Sequence, residues 1–231
     1  MSYDAGMRVF LTYVLLGMPA LGVASYFRVK SGRPLPPKLR RYRAVIVLQV
    51  FLTALTILVA NNNSIQIFGR AGPSAWVWVV AAGYMVLIVF SLRRGFRKLT
   101  APRKQRARIL LPEDHVQFRF WIVISGLAGL SEECAYRGLA YIAVSQETGS
   151  RTLAVVVCTA AFGIAHMLQG WKGVLGTSLI ALVFHGLVFF TGGLYMPIVI
   201  HIVYDLIVGY VSMRTLMQET NGLAEPARAG S

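Results

Sequence analysis

AVIVLQVFLTALTILVA, from Ala44 to Ala60, runs for 17 residues without one ionisable side chain. As a helix rising about 1.5 Å per residue it extends roughly 25 Å, close to the roughly 30 Å core of a bilayer. Uncharged or nearly uncharged runs of similar length recur along the whole chain. The composition agrees: 56% of the 231 residues are hydrophobic and 14% are charged, where a soluble domain carries about 25% charged residues. The mean hydropathy is +0.60. The fold class expected is all-α, a polytopic transmembrane helical bundle.

Working outward from Ala44–Ala60, the same criterion gives seven spans. The first is about Met7 to Phe27, with a kink expected at Pro19, and the second is about Ala44 to Ala60. The third is about Ala75 to Leu92, aromatic at its start (Trp76, Trp78, Tyr84). The fourth is about Phe118 to Val144, the fifth Thr152 to Leu168, the sixth Gly173 to Phe190 and the seventh Leu194 to Val211. Between the fourth span and the basic loop before it, ILLPEDHVQFRF reads as a short interfacial segment. The organisation expected is a three-helix membrane region over 1–110, a second set of helices over 111–214 and a polar, frayed tail over 215–231. The apolar run at the N-terminus is long for the core of a signal peptide and is read as a retained helix.

The net charge of +14 would suggest nucleic acid in a soluble protein. Its distribution points elsewhere. Seven of the 23 Lys and Arg lie between Arg28 and Arg43, and eight between Arg93 and Arg108, each cluster directly after an apolar span. That is the positive-inside pattern, reinforced by anionic lipid headgroups. It puts the N-terminus outside and the C-terminus in the cytosol, with Lys172 and Arg214 also inside. Membrane lipids are the expected partners, and nucleic acid is not. The two cysteines, Cys134 and Cys158, sit in apolar spans and make no disulfide framework.

Within the spans, ionisable groups are few and confined to the second half. The fourth span carries Glu132, Glu133 and Arg137, the fifth His166, the sixth His185, and the seventh His201 and Asp205. Each charge at the bilayer centre costs about 2.5–3.5 kcal/mol, so four facing lipid would cost roughly 10 kcal/mol. They must face inward and pair. Glu133 and Arg137 are four apart and share a helix face, while Glu132 is rotated by about 100° from Glu133 and need not share that partner. His201 and Asp205 repeat the spacing of four, as do Phe162 and His166, the ring as packing and the imidazole as polar tip. A buried pair or a lone membrane histidine can be purely structural; the conjunction on three helices is what points to chemistry. His185 is read as supporting or structural, His115 as interfacial, and Cys134 as inert, because an apolar site keeps its thiol protonated.

These residues carry a family resemblance. EECAYR matches E-E-x-x-x-R, FGIAH matches F-x-x-x-H and HIVYD matches H-x-x-x-N/D, in that order on successive spans. Over Phe118 to Val211 the chain resembles the CAAX protease and bacteriocin-processing (Abi) family of intramembrane proteases, which includes prenyl-protein endopeptidases. The resemblance implies an intramembrane endopeptidase acting on membrane-associated or lipidated proteins or peptides. It implies that Glu132 activates the attacking water, that His166 helps to hold it, that His201 stabilises the oxyanion, and that Glu133 and Arg137 orient the site. Asp205 takes a position where the prenyl-protein proteases have Asn.

Elementary chemistry runs parallel. Peptide hydrolysis needs a general base and a donor for developing negative charge. His201 can donate; Asp205 can orient His201, or join His166, His201 and Glu132 as ligands of a zinc ion. No obligatory cofactor is favoured, with zinc as the alternative. Two other functions stay open at this point: a proton- or ion-coupled carrier, since buried Glu, Asp and His also make proton relays, and a non-proteolytic immunity or scaffold protein of the same fold. The location expected is the cell membrane.

Overall fold

Pro19 shapes the first helix. A proline inside a helix lacks the N–H that would bond four residues back, and its ring crowds that carbonyl. The computed structural model describes residues 3–69 and 100–228 and, between these, 78, 79, 83, 86, 89–91, 94 and 95. In it, α1 (Ala5–Lys30) widens into a π-helical turn over Tyr13–Gly17 before resuming as an α-helix at Met18. The accommodation thus lies one turn ahead of the proline, where the displaced carbonyls find partners five residues on. Asp4 caps the start, its Oδ1 accepting from the Met7 N–H at 2.7 Å.

The rest of the described chain is a series of helices. Helix α2 is Lys38–Asn62 and α3 is Ala101–Leu110. Helix α4 is one rod over 115–148, made of His115–Glu132, a π-helical stretch Glu133–Ala140 and Tyr141–Thr148. Helix α5 is Arg151–Ala165, followed by a single tight turn Met167–Gln169. Helices α6 and α7 are Trp171–Thr191 and Tyr195–Arg228. Among the described residues there is no strand, only an isolated bridge between Gly69 and Gly193 that ties the segment after α2 to the start of α7.

Among the described residues, four helices are long and apolar enough to cross a membrane: Ala5–Lys30, Lys38–Asn62, Trp171–Thr191 and Tyr195–Gln218. Helix α5 is apolar but shorter, and α4 carries the charges. The expected third span, 75–92, falls largely outside the described residues. Large apolar side chains such as Leu16, Val47, Leu58, Leu175, Phe189 and Phe190 are exposed, which suits a lipid surrounding and not water.

Two expectations are corrected. The second basic loop is not loop throughout, because 101–110 folds as α3. Pro102 in its first turn is pre-set for a helix start. Its last carbonyls are met by α2: Arg41 Nη1 donates to Ile109 O at 2.9 Å and Tyr42 Oη to Leu110 O at 2.9 Å. Lys38 pairs with Glu113 just beyond. Basic donors at a helix C-terminus satisfy carbonyls that no intrahelical partner reaches. The second concerns only the fraying expected after Arg214, since the α7 backbone continues as helix to Arg228.

Helix α4 is the axis. Every residue from Ser131 to Ala140 is buried, and the main core gathers Met7, Phe10 and Val14 of α1, Leu52 and Val59 of α2, and Cys158 and Phe162 of α5 around it. The most polar stretch of the spans is therefore the one furthest from lipid, as the cost of membrane charge demands.

Candidate active site

The site begins where α4 changes pitch. Asp114 caps the rod, its Oδ1 accepting from the Gln117 N–H at 2.8 Å. After the 18 residues His115–Glu132 the helix enters the π stretch at Glu133. The wider turn carries Glu133 and Arg137, whose Nη1 donates to Glu133 Oε1 at 3.1 Å. Both side chains are almost fully buried. Spacing of four in the sequence gives the pair but not the π geometry that presents it, and such insertions occur frequently at functional sites.

Helix α7 approaches α4 at Gly129, where a Cβ would lie 3.1 Å from Ile202 N and 3.2 Å from Ile198 O. That close backbone contact sets His201 against the two glutamates. His201 Nδ1 is 2.8 Å from Glu133 Oε1. Its Nε2 is 3.9 Å from Glu132 Oε2 and 3.7 Å from Asp205 Oδ2, ion-pair distances too long for a hydrogen bond. Glu132 Oε2 is correspondingly buried with no hydrogen-bond partner. A bonded Nδ1–H fixes the tautomer and leaves Nε2 as the nitrogen available to a reacting group. Asp205 is partly exposed, and its main-chain carbonyl accepts from Trp121 Nε1 at 2.8 Å.

His166 ends α5. Its Nδ1 lies 2.8 Å from Phe162 O, which leaves Nε2 free. Phe162 is the common platform: its ring centroid is 4.6 Å from that of His166 and 6.5 Å from that of His201. The Arg137 guanidinium lies 4.2 Å over the same ring and 5.6 Å from that of Phe184 on α6. Sandwiching between aromatic faces stabilises a cation that is shut off from water. Two of its nitrogens, Nε and Nη2, have no hydrogen-bond partner.

All six residues singled out in the sequence thus lie on three helices around Phe162 and His201. His185 is buried on α6 with its ring 5.5 Å from Tyr141, and His115 is exposed at the first turn of α4. Three contributors were not singled out. Gln49 of α2 donates Nε2–H to Glu132 Oε1 at 2.8 Å, and Ser131 donates to Gln49 Oε1. Phe184 flanks His201 at 5.8 Å. Gln49 is a lone amide in an apolar span, and a search confined to ionisable groups passes over it.

Among the described residues no three His, Cys, Asp or Glu side chains converge to hold a metal. The nearest carboxylate oxygens stand 3.7 and 3.9 Å from His201 Nε2, a little wider than the roughly 3.4 Å that separates two ligands of a tetrahedral zinc at about 2.0–2.2 Å. His201 Nδ1 is already committed to Glu133.

Residues 115–207, from the first residue of α4 to just beyond Asp205, match the family model described as Type II CAAX prenyl endopeptidase Rce1-like. No curated protein and no solved structure matches the chain.

Proposed function

We propose that this integral membrane protein, whose residues 115–207 match the model described as Type II CAAX prenyl endopeptidase Rce1-like, hydrolyses a peptide bond of a lipidated or membrane-associated substrate with water activated by Glu132. The observation that carries this reading is the facing of Glu132 Oε2 and His201 Nε2 across 3.9 Å, with both side chains largely buried. A separation beyond hydrogen-bond range between two polar groups suits one bridging water.

In the proposed reaction Glu132 Oε2 takes a proton from that water as its oxygen attacks the scissile carbonyl carbon. The carbonyl π pair moves onto oxygen, and His201, protonated at Nε2 and held at Nδ1 by Glu133, donates to the oxyanion. The intermediate collapses by breaking the C–N bond, and Glu132 returns its proton to the leaving nitrogen. His166 Nε2 is the second group that can hold the water. Arg137 offsets the Glu133 charge so that Glu132 remains the reactive carboxylate. No step passes through a metal.

A prenylated substrate is supported by the family and by an almost wholly apolar pocket of about 420 Å³ between α4 and α7, lined by Phe118, Ile122, Leu206 and Tyr210 among others. The pocket reaches α7 in the turn that carries Asp205. We place the basic end, where α3 and the linker before α2 lie, on the cytosolic side of the cell membrane. His166 and the tight turn after it belong to that end, since Arg106 of α3 donates to Gln169 O at 3.5 Å.

The test is cleavage of a prenylated peptide by the purified chain in liposomes. Wild type is expected to cleave, and Glu132→Gln and His166→Ala to lose most of the activity. Undiminished cleavage by both variants overturns the assignment.

A further inference from the structure

Gln49 lies outside the family-matched segment, on the helix whose apolar run identifies it as a membrane span. It is buried, and both ends of its amide are committed. Ser131, one residue before Glu132, donates its hydroxyl to Gln49 Oε1. The carboxylate orients the amide, because an ionised Glu132 only accepts, whereas the hydroxyl can take either role. The Nε2 end must then face Glu132, and it donates to Oε1 at 2.8 Å.

We infer that Gln49 is a positioning residue: with Ser131 it holds Glu132 Oε1, so that Oε2 alone is turned to His201. The relay runs Ser131, Gln49, Glu132, and crosses from α4 to α2 and back. An isolated glutamate has three rotatable bonds, and each misaligned rotamer takes Oε2 out of line with His201 Nε2. Glutamine suits the position for a chemical reason. It gives a carboxylate a hydrogen bond without adding a charge to the span, whereas a carboxylate there would repel Glu132 and an ammonium would neutralise it. The consequence is that the N-terminal half completes the site, so the family-matched helices by themselves lack one of its parts.

The inference rests on Glu132 being the general base, and the test separates the two. The full chain is reconstituted in lipid nanodiscs as wild type, Gln49→Met, Ser131→Ala and the double variant. Methionine keeps the length and removes the donor. The first readout is the infrared carboxyl band of Glu132, isolated as the difference from Glu132→Gln in each background at one pH. The second is kcat and KM on a prenylated peptide.

Gln49→Met is expected to shift the Glu132 band and to lower kcat by roughly 10- to 100-fold with KM within about twofold. Ser131→Ala is expected to shift it less, and to add nothing on top of Gln49→Met, because serine acts through the amide. An unmoved band in Gln49→Met, or a Ser131→Ala effect of equal size in both backgrounds, overturns the positioning role. If the protein melts earlier while the band stays in place, Gln49 only packs α2 against α4 and the inference falls. A band that shifts in a chain whose wild type cleaves no prenylated peptide supports the Gln49–Glu132 link and overturns the endopeptidase instead.

Discussion

Glu133 Oε1 accepts from two helices at once: its own, through Arg137 Nη1 at 3.1 Å, and α7, through His201 Nδ1 at 2.8 Å. The second bond joins α4 to α7 four residues from the glycine that lets the two backbones meet, and the Trp121–Asp205 bond joins them again further along. One glutamate is spent on architecture, which leaves its neighbour Glu132, one residue earlier and turned toward α2, facing His201 Nε2.

Arg137→Leu strands the Glu133 charge in an apolar interior. Removing one partner of a buried pair costs about 3–5 kcal/mol. The variant is expected to unfold at a markedly lower temperature in detergent, with its cleavage lost. Replacing both partners, as Glu133→Gln with Arg137→Leu, is expected to recover part of the melting temperature but none of the activity, because His201 loses its anchor. Thermal unfolding alongside peptide cleavage separates the two effects.

Gly129→Val tests the approach of α4 to α7. Even a Cβ there would meet Ile202 N at 3.1 Å and Ile198 O at 3.2 Å, main-chain atoms that cannot rotate away. Overpacking of this kind costs about 1–3 kcal/mol. The expected result is a lower melting temperature and a fall in kcat, since any outward shift of α7 lengthens the His201–Glu133 bond. Gly126→Val, on the same helix with open space around its Cβ, is the control and is expected to leave both nearly unchanged.

Asp205→Asn keeps the shape of a side chain that stands 3.7 Å from His201 Nε2 and supplies an N–H that can face developing negative charge. Cleavage is expected to stay within about threefold of wild type, a difference below 1 kcal/mol. Asp205→Ala removes the group and is expected to lose roughly 10- to 100-fold. Activity measured on both at one pH checks this; an equally large loss in Asn and in Ala would mean that the charge itself orients His201.

Much of this was legible in the residue pattern, and for stated reasons. Length and apolarity mark α1, α2, α6 and α7, because a bilayer leaves a helix few alternatives. The cost of membrane charge singles out Glu132, Glu133, Arg137, His166, His201 and Asp205, which the fold gathers on α4, α5 and α7. The π stretch over Glu133–Ala140 was not legible, since one inserted residue in a helix leaves no mark in a hydropathy pattern. Helix α3 was hidden by its charge: it is held at one end by Arg41 and Tyr42 of α2 and not by an apolar stripe of its own. Gln49 was missed because a neutral amide carries no membrane penalty large enough to flag it, although a single amide in an otherwise apolar span is itself a signal that it has a buried partner.

The most direct test of the central claim is release of the C-terminal fragment from a prenylated peptide by the reconstituted chain, wild type against Glu132→Gln. The substitution keeps the side chain's size and its place beside Gln49 while removing the base. Wild type is expected to cleave, with the Glu132→Gln rate lower by at least about 100-fold and its melting temperature unchanged. Equal rates in the two proteins would contradict the account.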